Sequence, residues 1–131
     1  MENKIKILLV DDLRDFVETI SFWMKSKGYS VYVCRSGEEA LRSIKSESFD
    51  IIFMDIQMPN MNGVETLKKI REIDKKVPVI LVTAYPENPI VSEANEYGIS
   101  GVFPKEGSFE RLTSVIEVAL RSHRGLKPSD G

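Results

Sequence analysis

Apolar and polar positions follow two different rhythms along this chain. Five short runs rich in β-branched residues are nearly continuous in apolar side chains: "IKILLV" (5–10), "SVYVC" (30–34), "DIIFM" (50–54), "VPVILVT" (77–83) and "GVF" (101–103). Runs of this kind suit strands covered on both faces, as in a parallel sheet. Between them apolar residues recur at helical spacing. Over 13–27, Leu13, Val17, Ile20 and Met24 form one stripe, and Gly28 is placed to stop the helix. Over 36–46, Ser36 and Glu39 have capping-box spacing ahead of Ala40, Leu41 and Ile44. Val64, Leu67 and Ile70 share a face over 63–71. Asn88 can cap a helix that Pro89 opens, with Ile90, Val91, Ala94 and Tyr97 on one side of 89–97. A last helix starts near Ser108 and packs Leu112, Val115, Ile116 and Ala119, after which "SHRGLKPSDG" loses the pattern.

Strand then helix, five times over, predicts an α/β fold: a doubly wound five-stranded parallel sheet with five helices on both faces, in which the flavodoxin-like strand order 2-1-3-4-5 is one arrangement. The domain is expected over 4–122, with 123–131 as a tail or the start of a linker.

Composition narrows the function more than the fold. The 131 residues fit one domain, and 42% apolar content supports a packed core. A net charge of -2 gives no basic footprint for nucleic acid. No apolar run approaches the ~20 residues of a membrane helix. The one cysteine, Cys34, allows no internal disulfide and fits a reducing cytoplasm.

The informative feature is what ends each strand. Ligands of open α/β sheets bind beyond the carboxyl ends of the strands, where the winding reverses. With the order 2-1-3-4-5 that point lies between strands 1 and 3. Strand 1 ends in Asp11 and Asp12, strand 3 in Asp55, strand 4 in Thr83, and Lys105 follows strand 5. Taken singly, each has a plain reading: a helix cap or turn for an Asp, a β-former for Thr83, a solvated lysine for Lys105. Together they place the right groups on neighbouring strands at one end. Two like charges 4 Å apart cost about 4 kcal/mol at an effective dielectric near 20. Three carboxylates therefore call for a cation, a proton or a functional reason, and oxygen ligands with room for water favour Mg²⁺. Acids, Mg²⁺, a hydroxyl and a lysine make a phosphoryl-transfer site in which a carboxylate can attack as nucleophile.

The segments "ILLVDD", "DIIFMDIQMPNMNGVE", "VPVILVTAY" and "GVFPK", in this order and spacing, resemble the receiver domain of two-component response regulators over residues 4 to about 122. The resemblance implies that Asp55 accepts a phosphoryl group from a sensor histidine kinase or a phosphotransfer protein. It implies that Asp12, Asp55 and the Gln57 backbone carbonyl bind Mg²⁺ directly, with Asp11 acting mostly through a bound water. Thr83 would bond the phosphoryl group, Lys105 would pair with it, and Pro59 and Gly63 would shape the loop below. Gln57 and Tyr85 would tune the phosphate lifetime. Such a chain is a stoichiometric acceptor that slowly dephosphorylates itself, not an enzyme in the turnover sense.

Two positions depart from the family pattern. Glu106 stands where a proline often follows the lysine, and Val102 where an aromatic switch often lies. Phe103 is expected on the opposite sheet face, toward the first and last helices. The signal is then expected to leave through "AYPENP" (84–89) to a partner, an output domain or a second copy at the helix 4, strand 5 and helix 5 face. A dehalogenase-like phosphatase would need a second acid where Gln57 stands, and "DLRD" is a poor phosphate loop for a flavodoxin-like cofactor binder. No output domain follows residue 123 in the sequence, so a stand-alone receiver and a piece of a longer regulator both fit.

Overall fold

Each apolar run becomes a strand because its side chains are covered above and below. A computed structural model describes residues 4–56 and 63–124. Gln57 and Pro59 lie outside the described residues, as does the tail after Arg124. The elements are β1 (Lys6–Val10), α1 (Arg14–Ser26), β2 (Ser30–Cys34), α2 (Gly37–Ser46), β3 (Ile51–Asp55), α3 (Gly63–Ile73), β4 (Val79–Thr83), α4 (Pro89–Asn95), β5 (Gly101–Pro104) and α5 (Phe109–Arg124). The sheet is parallel throughout, in the order β2-β1-β3-β4-β5. Among the described residues no helix is long and apolar enough to cross a membrane.

Strand alternation divides the core in two. Leu8, Val10, Ile52, Met54, Val79 and Leu81 pack under α2, α3 and α4 with Ala40, Leu67, Ile70 and Ala94. Ile7, Leu9, Ile51, Phe53, Ile80 and Val82 pack under α1 and α5 with Val17, Ile20, Met24, Leu112 and Ile116. Phe103 joins this second cluster and Val102 the first, as their alternation predicts. β3 and β4 are buried along their whole length, whereas Tyr32 and Val33 of the edge strand β2 are more than a third exposed.

The helix signals hold with local changes. Ser36 Oγ accepts the Glu39 N–H at 3.2 Å, but Glu39 Oε1 answers to Arg35 N–H rather than to Ser36. Asn88 Oδ1 accepts the Ile90 N–H at 2.9 Å, and Ser108 Oγ that of Arg111 at 3.2 Å. Gly28 ends α1 with φ 95°, the left-handed region that glycine enters freely. Leu13 is not part of the buried stripe: it is the N-cap residue of α1 and 54% exposed. α4 stops at Asn95, two residues short of its predicted end, while the α5 backbone runs to Arg124, past the predicted domain boundary at 122.

One long-range tie has no signal in the hydrophobic pattern. Arg71, in the last turn of α3, donates Nε to Tyr97 O at 2.8 Å and Nη2 to Gly98 O at 2.6 Å. Its Nη1 reaches Val77 O at 2.8 Å and Asp74 O at 3.2 Å. Burial lowers the Arg71 pKa from its ordinary value, and the Asp74 charge opposes that shift. This one guanidinium joins the end of α3, the turn into β4 and the turn after α4.

Candidate phosphoryl-transfer site

The site is assembled from strand ends. Asp11 follows β1, and its N–H donates to Cys34 O at 3.0 Å, extending the β1–β2 pairing by one residue. Its Oδ1 accepts the Leu13 N–H at 3.0 Å, so this wholly buried side chain also shapes the turn into α1. Asp12 does not cap that helix: the N-cap residue is Leu13, which makes no side-chain cap. The helix-cap reading of Asp12 therefore fails, and one of its carboxylate oxygens lies within the acidic cluster. Asp55 is the last residue of β3 and 6% exposed; Thr83 is the last of β4 and 1% exposed. Asp55 pairs with Val82, one residue before Thr83. Lys105 is fixed to the same end by its N–H, which donates to Thr83 O at 2.8 Å.

Oxygens of Asp11, Asp12 and Asp55 come within 4.8 Å of one another. At that range each like-charged pair costs about 3 kcal/mol at an effective dielectric near 20. Lys105 offsets part of this: its Nζ stands 2.9 Å from Asp11 Oδ2 and donates a hydrogen bond to Asp55 Oδ2 at 3.2 Å. Three carboxylates still face one ammonium. The Asp11 contact is a charge pairing without hydrogen-bond alignment, so Asp11 Oδ2 is buried with no hydrogen bond from the described residues. A buried, unshared carboxylate lone pair beside two further acids fits a hard divalent cation such as Mg²⁺.

Five of the residues singled out from the sequence thus belong to one end of the sheet: Asp11, Asp12, Asp55, Thr83 and Lys105. The pairing of Lys105 with Asp11 was not among the expectations, which gave Lys105 to a phosphoryl group and Asp11 to a water. Thr83 Oγ1 accepts the Tyr85 N–H at 2.9 Å, which leaves the hydroxyl proton free to donate. The Tyr85 side chain stands out in solvent at 63% exposure. Gly63 lies hard against the end of β3, its N–H donating to Ile56 O at 2.9 Å. A Cβ there would fall 2.4 Å from Ile56 Cα and 2.7 Å from Asp55 O, so only glycine lets α3 start this close to Asp55. Sequence reasoning missed Phe16, whose ring centroid lies 4.9 Å from Lys105 Nζ. Its helical position places it beside the α1 stripe, but nothing in that spacing names Lys105.

Comparison with known proteins agrees with this geometry. The sequence profile described as "Response regulator receiver domain" matches residues 7–117. The chain is 31% identical to the transcriptional regulatory protein ZraR of Salmonella typhimurium over 124 residues, which is 95% of this chain and 28% of that protein. It therefore spans well under half the length of that relative. It is 30% identical over 115 residues to sporulation initiation phosphotransferase F of Bacillus subtilis, covering 88% of this chain and 93% of that one. Among solved structures, the receiver domain of the sensor histidine kinase PA1611 from Pseudomonas aeruginosa, with a magnesium ion coordinated in its active site cleft, superposes with a TM-score of 0.84. That domain is 25% identical, over 90% of this chain and 98% of its own. With the strand order, the acidic cluster and the profile in agreement, the chain belongs to the response regulator receiver domain family.

Proposed function

We propose that this domain is the phosphoacceptor of a two-component system, taking a phosphoryl group on Asp55 in a Mg²⁺-dependent reaction. The observation that carries the reading is the cluster of Asp11, Asp12 and Asp55 within 4.8 Å, with Lys105 bridging two of them. A carboxylate oxygen of Asp55 attacks phosphorus, and the bond from phosphorus to the donor breaks with its electron pair leaving on the donor. With a phosphohistidine that leaving atom is an imidazole nitrogen, so a sensor histidine kinase or a phosphotransfer protein is the partner. Asp12 and Asp55, with Gln57 and with Asp11 behind them, would hold Mg²⁺, which supplies charge neutralisation for the transferring group. Lys105 pairs with the incoming phosphoryl oxygens and Thr83 donates its hydroxyl proton to one of them. Tyr85 and Gln57 tune how long the aspartyl phosphate lasts. The protein acts as a stoichiometric acceptor in the cytoplasm rather than as an enzyme.

The output reading is part of the same proposal. The drawn-in Thr83 hydroxyl pulls on Tyr85 N–H, and so on the loop 84–88 and on α4. An apolar groove of about 310 Å³ between β5 and α5, lined by Val102, Arg111, Val115 and Val118, lies on the proposed output face. Acetyl phosphate with Mg²⁺ should leave one hydroxylamine-sensitive phosphate on the wild type and none on Asp55→Asn. Equal labelling of that variant would sink the assignment, and steady phosphate release without a trapped adduct would point to a phosphatase.

A further inference from the structure

Among the described residues the Lys105 ammonium has three close partners: Asp11 Oδ2 at 2.9 Å, Asp55 Oδ2 at 3.2 Å and the Phe16 ring centroid at 4.9 Å. Its side chain is only 11% exposed. The two carboxylates are unsteady anchors. Both belong to the acidic cluster, so both change partner when a cation or a phosphoryl group enters. The lysine stem is long and freely rotating, and without a third contact the ammonium would follow whichever acid remained. Phe16 is the neighbour that does not change. It lies in the first turn of α1 and packs, half-buried, against the cluster of Val17, Ile20, Phe103 and Leu112. Asp55 has the strand parity of Ile51 and Phe53, which face that same cluster, so ring and nucleophile lie on one side of the sheet. The negative face of an aromatic ring attracts an ammonium, and more strongly as water is excluded.

We infer that Phe16 is a positioning residue for phosphoryl transfer: its ring holds the Lys105 ammonium beside Asp55 while the carboxylates exchange partners. The role rests on the phosphoacceptor reading above; the contact itself does not. Two variants separate ring from bulk. Phe16→Leu keeps an apolar side chain against the core and removes the aromatic face, whereas Phe16→Tyr keeps the face. Without metal or phosphodonor, the Lys105 ε-methylene NMR signals should be shifted upfield by the ring in the wild type and in Phe16→Tyr, and lose that shift in Phe16→Leu. With acetyl phosphate at saturating Mg²⁺, Phe16→Leu should be phosphorylated about fivefold more slowly, the rate equivalent of about 1 kcal/mol of cation–π attraction. Phe16→Tyr should stay within about twofold of the wild type, and both should keep the wild-type Mg²⁺ midpoint within about twofold, because the ring supplies no metal ligand. Wild-type rate in Phe16→Leu, or equal slowing in the two variants, overturns the inference, as does an unshifted Lys105 signal in the wild type. If the wild type takes no phosphate at all, the phosphoacceptor reading fails and takes the positioning role with it; the ring shift then remains as a bare contact.

Discussion

Replacing Gly63 with alanine pushes a methyl group into the backbone that carries Asp55. The new Cβ would fall 2.4 Å from Ile56 Cα, 2.7 Å from Asp55 O and 3.1 Å from Ile56 C. Carbon atoms in ordinary contact stand about 3.5–4 Å apart, so the start of α3 must retreat by about 1 Å. All three atoms are main-chain atoms of the strand end, which cannot swing away as a flexible side chain would. The retreat also strains the Gly63 N–H bond to Ile56 O, now 2.9 Å. Overpacking of this kind costs about 1–3 kcal/mol, and alanine's better helix propensity returns at most about 1. A net loss of about 1–2 kcal/mol should lower Tm by about 3–10 °C in a domain of this size. The functional effect should be larger, since a 1 Å displacement of a reacting group can cost about 10²-fold. The assay is a thermal melt together with the acetyl phosphate labelling rate. Gly28→Ala is the control: φ is 95° there but nothing lies within 4 Å, so it should cost about 1 kcal/mol of backbone strain and leave labelling unchanged. Gly63→Ala melting at or above wild type, with labelling at the wild-type rate, would refute the argument.

Three further outcomes are expected. Mg²⁺ at ten times its Kd should stabilise the wild type by about 1.4 kcal/mol through mass action, and Asp12→Ala should lose most of the gain; equal Tm shifts in both would count against an acid-built site. Arg71→Met should cost about 2 kcal/mol and raise amide exchange around 97–99, because four carbonyls lose a charged donor; unchanged exchange there would show that the tie carries little. Burial pushes the Cys34 thiol up, with the Ser43 hydroxyl opposing the shift, so native alkylation at pH 8 should run about an order of magnitude or more slower than in urea. With the folded pKa raised, this contribution to stability is intact below the unfolded thiol range and is lost as pH rises through the folded pKa. A fast native reaction would contradict the burial.

The fold was legible because strand and helix here obey their periods. Val102 and Phe103 sort to opposite faces by alternation alone, and Asn88, Ser108 and Gly28 end helices through their local chemistry. Where the pattern misled, topology intervened. "SVYVC" reads as a run covered on both faces, yet β2 is an edge strand and leaves Tyr32 and Val33 half-open. Leu13 fits the α1 stripe by spacing, but the turn set by Asp11 Oδ1 makes it the cap residue. The acids, threonine and lysine of the site could be read from strand ends, since a parallel sheet brings those ends together whatever the side chains do. The Lys105 pairing with Asp11, the Phe16 ring beneath it and the Arg71 carbonyl contacts could not. Each depends on where a long side chain comes to rest between elements far apart in sequence, which periodicity does not encode.

The Arg71 tie makes α4 a lever with a fulcrum. At Tyr97 and Gly98 the chain is pinned to α3 through one guanidinium. At the other end α4 begins at Asn88 and Pro89, just past a loop whose first link is the Tyr85 N–H on Thr83 Oγ1. Of its seven residues only Ala94, near the pinned end, is fully buried. A pull arriving at Thr83 would therefore act on the long arm and be converted to rotation rather than sliding. Travel would be greatest at Pro89 and vanish toward Gly98, so a surface that reads such a motion would have to grip the first turn of α4, while one that only needs a constant foothold would be better placed against the turn leading into β5.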